Sequence, residues 1–313
     1  MKIALIGDQV KFELFTLLTK SKNFSVAKAV IEDEDLEYIA KVYSSKKITY
    51  SELELMADSE LGTKLKEEGK KANVFLLALD SFDPKRVKEI NENFIVEDMA
   101  VLEKREKKLE DLIRKGRKEY KEEKEEVHVL LDKLNKGIPL RTVEIKNREI
   151  FRGYQLLSLK PLIVVFNVEE EVKLPENKDN IFYFAYPVKF EYELMELPEE
   201  ERENFRKDFE IKPKSLEELK HLCIQALGLI NVYTAGEKEA RSWLIERGSS
   251  IIDFAASIHS DLARGFIKAE VFNIEVLKKY GSPKEVKSHG ELKLVAKDYI
   301  VNPKDIIYIR FKV

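Results

Sequence analysis

Apolar residues run along this chain in more than one rhythm. The opening Met-Lys-Ile-Ala-Leu-Ile-Gly is a short apolar run that reads as a buried strand ending at Gly7, and the spacing of Phe12, Phe15, Leu17 and Leu18 predicts a helix directly after it. Two further runs, residues 73–79 and 161–166, are strand-sized and do not alternate with polar residues. Strands covered on both faces in a parallel sheet have that pattern. Helical stretches lie between the runs, so the first two thirds of the chain predict an α/β arrangement.

From about residue 94 to 137 the composition changes. Charged residues dominate around an apolar set that runs through Ile95, Met99, Leu102 and Leu109 and resumes at Val127, Leu130, Leu131 and Leu134. Helical spacing on both sides of Gly116 predicts a long hairpin, a coiled coil, closed where Gly137 and Pro139 end a helix. Its plain role is a solvated helix pair with charges turned outward. Its alternative role is a partner-binding arm, on which acidic residues are as numerous as basic ones.

A polar, acidic stretch at residues 196–218 carries Pro198 and Pro213 and leads into a helix over 216–227 that Gly228 stops. Beyond it come short strands at 230–234, 240–246, 266–271, 292–294, 299–301 and 306–311, with one helix over 251–263. This predicts a small α+β module with a mixed sheet. The expected division is an α/β domain in two pieces, 1–93 and 141–228, an inserted hairpin at 94–140, and a C-terminal module at 229–313 that folds by itself.

A length of 313 residues suits two or three modules, and 44% hydrophobic against 36% charged residues predicts a soluble globular protein. A net charge of −3 gives no global attraction to nucleic acid or anionic lipid, so an RNA contact needs a local patch. The single cysteine, Cys223, allows no internal disulfide, and the start of the chain has a strand's length, which together place it in the cytoplasm. No apolar stretch approaches the roughly 20 residues of a membrane helix, so no membrane partner is expected. Three glutamines and one cysteine among abundant lysine and glutamate match the bias of proteins from hot environments.

Several segments carry a family resemblance. Leu-Ile-Asn-Val-Tyr-Thr-Ala-Gly (229–236), Glu-Lys-Glu-Ala-Arg-Ser-Trp (237–243), Ile-His-Ser-Asp-Leu-Ala-Arg-Gly-Phe-Ile-Lys-Ala-Glu-Val (258–271) and Lys-Asp-Tyr-Ile-Val (297–301) resemble the TGS domain, a β-grasp module, of the YchF/Obg-like ATPase family. Residues 156–170 resemble that family's strand to its base-recognition segment, with Asn167 and Glu170 on its Asn-x-x-Glu. Residues 96–105 resemble the start of its helical insertion, and residues 35–40 the helix before its second strand. The resemblance implies a P-loop-GTPase-like doubly wound sheet with an inserted helical hairpin, plus a C-terminal α+β β-grasp (TGS) domain. It also implies an ATP- or GTP-binding protein with magnesium, acting on the ribosome or RNA.

The phosphate chemistry departs from that pattern. A triphosphate needs backbone N–H groups of a Gly-rich loop, a lysine, and a hydroxyl for magnesium. Only three residues separate Gly7 from Lys11, no second glycine precedes the lysine, and Phe12 stands where the hydroxyl belongs. Asp8 and Glu13 add negative charge beside the would-be phosphates. Lys11 therefore reads as a solvated lysine at a helix start. The family's Asp-x-x-Gly falls on Ala57-Asp58-Ser59-Glu60, and the mobile loop after it looks shortened to Gly62-Thr63-Lys64. At the base end, Asn167 and Glu170 either bind an adenine edge or serve a strand-to-loop turn. The family's Ser-Ala-Lys looks replaced by Pro187-Val188-Lys189.

The vestigial nucleotide-binding set is thus Gly7, Lys11, Asn167 and Glu170, and no catalytic residue or metal site is expected. His128, His221, His259 and His289 lack metal-ligand spacing, Cys223 reads as a buried small hydrophobe, and Trp243 as core. His259, Arg264 and Lys268, around Gly265, are the partner-binding candidates, against a purely structural turn. Three readings follow: a non-hydrolysing, translation-associated binding or regulatory protein; a weak ATP- or GTP-binding ATPase; or a scaffold partner of an intact relative. No cofactor is expected under the first, residual ATP or GTP with magnesium under the second, and a protein partner under the third.

Overall fold

The computed structural model describes residues 1–57, 65, 67–209 and 215–312. Its elements run β1 (Lys2–Gly7), α1 (Lys11–Thr19), β2 (Ala27–Val30), α2 (Glu34–Val42), β3 (Ile48–Thr49), β4 (Glu52–Ala57), α3 (Glu67–Lys70), β5 (Val74–Leu79), α4 (Pro84–Arg114), α5 (Lys121–Asn135), α6 (Arg148–Phe151), β6 (Leu162–Asn167), β7 (Ile181–Tyr186), α7 (Val188–Leu194), α8 (Glu199–Asp208) and α9 (Leu216–Ala226). They continue with β8 (Leu229–Ala235), β9 (Ala240–Glu246), α10 (Ile251–Ile258), α11 (Ser260–Arg264), β10 (Phe266–Asn273), α12 (Ile274–Tyr280), α13 (Pro283–Ser288), β11 (Lys293–Val295) and β12 (Asp305–Phe311). Two compact units result: Met1–Ala29 with Leu53–Ala226, and Val30–Glu52 with Leu227–Val313. No helix among the described residues is long and apolar enough to cross a membrane.

The sheet of the first unit has the order β2-β4-β1-β5-β6-β7. Strand β1 pairs in parallel with β4 on one side and β5 on the other, and β5, β6 and β7 continue in parallel. The continuous apolar runs are explained by cover on both faces: every residue of β5 is buried, as is β6 up to Phe166. Leu77, Leu79, Val164 and Phe166 pack against Val87, Ile90 and Phe94 of α4.

That contact changes the expected hairpin. Helix α4 begins at Pro84, with Asp83 capping it by accepting the Arg86 N–H at 3.1 Å, rather than near residue 94. Its first turns cover the sheet, and only from Ile95 onward do Leu102 and Leu109 pack on Val127, Leu130, Leu131 and Leu134 of α5. No glycine or proline marks the change of face, because the helix does not break there. Gly116 does turn the chain, at φ +92°, and Gly137 ends the second arm at φ +71°. Across the hairpin, Glu123 accepts two bonds from Arg105, at 2.7 and 2.9 Å, and one from the Tyr154 hydroxyl.

The sheet of the second unit has the order β11-β10-β12-β8-β9-β3. It is mixed: β10 is antiparallel to β11 and β12, β8 to β9, while β12–β8 and β9–β3 are parallel. On one face Ile230, Val232, Ala269, Val271 and Ile307 pack on Ile251 and Phe254 of α10. Alternation turns Tyr233, Ala240, Phe272 and Ile306 to the other face, where they meet α2, α12 and α13.

Residues 229–313 therefore do not make this module alone. Val30–Glu52 supplies α2 and β3 to it, with Leu36, Ile39 and Ala40 buried against the sheet. Asp33 caps α2 by accepting the Leu36 N–H at 3.0 Å, and Glu34, Asp35 and Glu37 lie in its first turn, where the helix dipole favours anions. Three other expectations change. The helix over 251–263 is two helices, broken where His259 is extended at φ −163°. Residues 299–301 make a single bridge, Ile300 to Ser250, after a turn at Lys297 and Asp298, rather than a strand. Helices α12 and α13 were not anticipated, although Asn273 and the Ser282-Pro283 pair are ordinary helix starts.

Candidate functional site

In an open parallel sheet, ligands bind beyond the carboxyl ends of the strands where the strand order reverses. Here that place lies beside β1, with β4 on one flank and β5 on the other. Gly7 ends β1 at φ +103°, and a Cβ there would stand 2.3 Å from the Ala78 carbonyl oxygen. Only glycine fits. The Asp8 N–H donates to Ala78 O at 2.9 Å, and the Asp80 N–H donates to Asp8 Oδ2 at 3.1 Å. Helix α1 starts three residues on, capped by Val10, which makes no side-chain cap bond. Strand passes to helix through a tight turn, not a loop.

Lys11 is not the solvated lysine expected. It is 0% exposed, its Nζ donates to the Gly7 carbonyl at 3.3 Å, and it lies 5.2 Å from the Phe12 ring centroid. With so short a turn, the side chain at the first helical position is folded back under the strand end instead of reaching outward. Phe12 packs on Phe24 with centroids 4.7 Å apart, occupying apolar space where a magnesium-binding hydroxyl was sought.

At the end of β6, Asn167 joins three elements. Its Nδ2 donates to the Asp80 carbonyl at 3.3 Å, and its Oδ1 accepts the Lys189 N–H at 3.1 Å. Lys189 Nζ in turn lies 3.2 Å from Asp80 Oδ1. Asp8, Asp80, Asn167 and Lys189 thus form one chain of contacts across the ends of β1, β5 and β6 and the start of α7. Asp80 was not anticipated from sequence; its only signal is its place directly after the apolar run 74–79. Glu170 is exposed and has no hydrogen-bond or ion-pair partner among the described residues. Ala57, the buried last residue of β4, is described, but Asp58, Ser59 and Glu60 of the Asp-x-x-Gly counterpart and Gly62-Thr63-Lys64 lie outside the described residues.

A cradle requires several N–H groups aimed at one anion, but the Asp8 and Asp80 N–H groups are used internally and the Asp8 carboxylate stands in their midst. The lysine nitrogen is turned onto a carbonyl, and the amide of Asn167 is bonded at both ends.

The partner candidates lie on two adjoining elements, α11 and β10. His259 Nδ1 accepts the Asp261 N–H at 3.2 Å, starting α11, and Arg264 lies 3.9 Å from the same Asp261. Gly265 is required, since a Cβ there would stand 2.2 Å from the Lys312 carbonyl oxygen. Lys268 lies past a bulge on β10, in register with Arg310, which is itself paired with Glu270. Trp243 packs beside the core of the second unit, donating to Thr234 Oγ1 at 2.9 Å. His128 contacts Glu106, while His221 and His289 contact carbonyls of their own helices.

One group of titration shifts lies away from the crevice. Asp98, on α4, accepts from Leu157 N–H, Ser158 N–H and Ser158 Oγ at 2.6–2.8 Å, yet burial outweighs these bonds and pushes its carboxyl up to about 6. Burial pulls Lys160 down to about 8 and the neighbouring Arg141 guanidinium to about 10, against the charge of Asp98. This cluster stands before β6, at the opposite end of the sheet from Asn167. Burial also raises the Cys223 thiol to about 12, leaving an inert small hydrophobe.

A model for the C-terminal domain of YchF GTPases (YchF-GTPase_C), described as a protein of unknown function, matches residues 229–312. A protein named ribosome-binding ATPase YchF from Bacillus subtilis (strain 168) is 31% identical over 242 residues, 72% of this chain and 66% of that protein. The matched stretch thus spans just under two thirds of that relative's length. The ribosome-binding ATPase YchF of Mycoplasma genitalium is 25% identical over 349 residues, covering 99% of this chain and 95% of that one. The structure of the Schizosaccharomyces pombe YchF GTPase shares the fold with a TM-score of 0.82, covering 99% of this chain and 97% of that one at 21% identity.

Proposed function

The chain belongs to the YchF/Obg-like ATPase family, and from that membership we propose that it is a translation-associated binding or regulatory protein, with the ribosome or RNA as partner, that does not hydrolyse ATP or GTP. Support for the partner comes from relatives named as ribosome-binding. Support for the absence of hydrolysis comes from the crevice at the strand ends, whose groups bond to one another.

That closure is the observation on which the reading rests. Lys11 on the Gly7 carbonyl, Asp8 on the Asp80 N–H, and Asn167 between Asp80 and Lys189 are contacts a nucleotide would have to break before making its own. A base held without phosphate contacts lacks the charge-assisted bonds that dominate nucleotide affinity. The weak-ATPase reading keeps one feature, the exposed Glu170, which is free to accept from an adenine amine.

The test is titration of the full chain with fluorescent ATP and GTP analogues, with and without magnesium, beside a phosphate-release assay. No saturation and no release above background are expected, for the wild type and for Lys11→Ala alike. Saturable binding tighter than about 10 μM, roughly −7 kcal/mol, or turnover that Lys11→Ala reduces, would turn the assignment to an ATPase.

A further inference from the structure

The hairpin of α4 and α5 is electrically neutral as a whole, but its charges are sorted by position. Between Lys107 and Lys121, around the turn, seven residues are basic and three acidic. Residues 96–106 and 122–136, which form the stem, together carry five basic and nine acidic residues. A surface evolved only for solubility intersperses its signs; this one separates them.

The ion pairs sharpen the separation. All three acids near the turn are taken: Glu110 by Lys124 at 3.0 Å, Asp111 by Arg114 at 3.7 Å and Glu119 by Arg117 at 2.9 Å. Lys107, Lys108, Lys115, Lys118 and Lys121 are exposed and have no ion pair among the described residues. Helix dipoles account for Lys115, which caps the carboxyl end of α4, where a cation is favoured. They do not account for Lys118 and Lys121, which stand at the amino end of α5, where a cation is disfavoured. Local folding therefore selects against these two charges.

The arm that carries them is packed along its length and clamped near its tip. Leu102, Leu109, Val127 and Leu130 form its dry seam, and the Arg105, Glu123 and Tyr154 contacts lock it just below the turn. We propose that the hairpin tip, with Lys107, Lys108, Lys115, Lys118 and Lys121, is a docking surface for the phosphate backbone of structured RNA, held off by the acidic stem so that only the tip engages. This rests on the ribosomal reading above and names the chemistry of the partner. Lysines supply point charges to phosphates without reading bases, so recognition is by shape and charge and is salt-sensitive.

The experiment is fluorescence anisotropy of a short fluorescein-labelled RNA duplex with the full chain at several salt concentrations, run beside cosedimentation with purified ribosomes. Lys115→Glu combined with Lys118→Glu is expected to weaken duplex binding at least about tenfold and to flatten the slope of log affinity against log salt by roughly 0.9 for each phosphate no longer neutralised. Lys85→Glu with Lys88→Glu makes the same charge change at the other end of α4 and is expected to stay within about twofold. Equal weakening by both pairs, or no duplex binding by the wild type, overturns the tip assignment. Ribosome pelleting by the wild type without duplex binding also overturns it, while the ribosomal reading stands. A wild type that binds the duplex but never pellets with ribosomes overturns the ribosomal reading and leaves the tip assignment standing.

Discussion

A buried carboxyl with three donors aimed at it carries a conflict that pH exposes. Asp98 is ordinarily ionised above 3.8, but burial in the folded chain raises it to about 6 in spite of the bonds from Leu157 and Ser158. Between those values the folded chain binds the proton that the unfolded chain has lost. The contribution to stability is therefore full at the acid end of the window, declines as pH rises through it, and is gone above about 6. A window of about two pH units corresponds to on the order of 3 kcal/mol. Urea unfolding of wild type and Asp98→Asn between pH 4 and 7 is expected to show the wild type's margin shrinking by about that amount as pH rises; parallel curves would remove Asp98 as the cause. At this scale the sequence was legible in part. The loss of a second glycine and of the hydroxyl is written in Gly7, Lys11 and Phe12. The direction Lys11 takes is not, because it depends on the carbonyl that ends β1. The sequence left Asn167 open between an adenine edge and its own strand-to-loop turn; its observed partners Asp80 and Lys189 belong to other elements, and local pattern does not reach them.

A helix that faces two cores in succession needs something other than its apolar seam to fix the second one. In α4 the turns from Val87 to Phe94 are held by the sheet, whereas the stretch beyond Ile95 is held by α5, by Leu140, Phe151 and Leu156 of the segment after it, and by the clamp at Glu123. The Glu123 side chain is 9% exposed and that of Arg105 22%, so the pair is neither fully desolvated nor a surface ornament. Breaking buried pairs costs about 3–5 kcal/mol, and partial exposure discounts this toward about 1–3 kcal/mol. Glu123→Ala should therefore lower the unfolding free energy by that amount, and a double-mutant cycle with Arg105→Ala should return a coupling of about 0.5–3 kcal/mol. Additive single effects would mean that the two side chains act separately. Element type was readable here from the 3.6-residue rhythm, as was the turn at Gly116. The start at Pro84 was missed because apolar spacing continues unbroken while the surface it packs on changes.

Chain order and spatial order disagree in this molecule, with a consequence for how its C-terminal unit is built. The chain leaves the first unit after Ala29, joins the second for Val30–Glu52, and returns at Leu53 long before Leu227 opens the rest of that unit. The family resemblance implied the helix at residues 35–40, but nothing in the local pattern assigned it to a sheet whose strands come far later in the chain. The ties are specific. Asp33 accepts from Asn231 and Tyr233, Asp35 accepts from Lys278 and Lys304 at 2.6 and 2.7 Å, and Ile48 and Thr49 extend the sheet beside Ala240 and Arg241. Leu36 and Ile39, both 0% exposed, are worth about 1.5–3 kcal/mol each by burial alone. Against a total of about 5–15 kcal/mol for a domain, a fragment of residues 227–313 loses a large share of its stability. That fragment is expected to melt at least about 12 °C below one in which residues 30–52 are fused ahead of residue 227 through a flexible linker. Circular dichroism melts of the two fragments decide it. Coincident melting would show that residues 227–313 close their own core, with the earlier segment resting on it as a passenger.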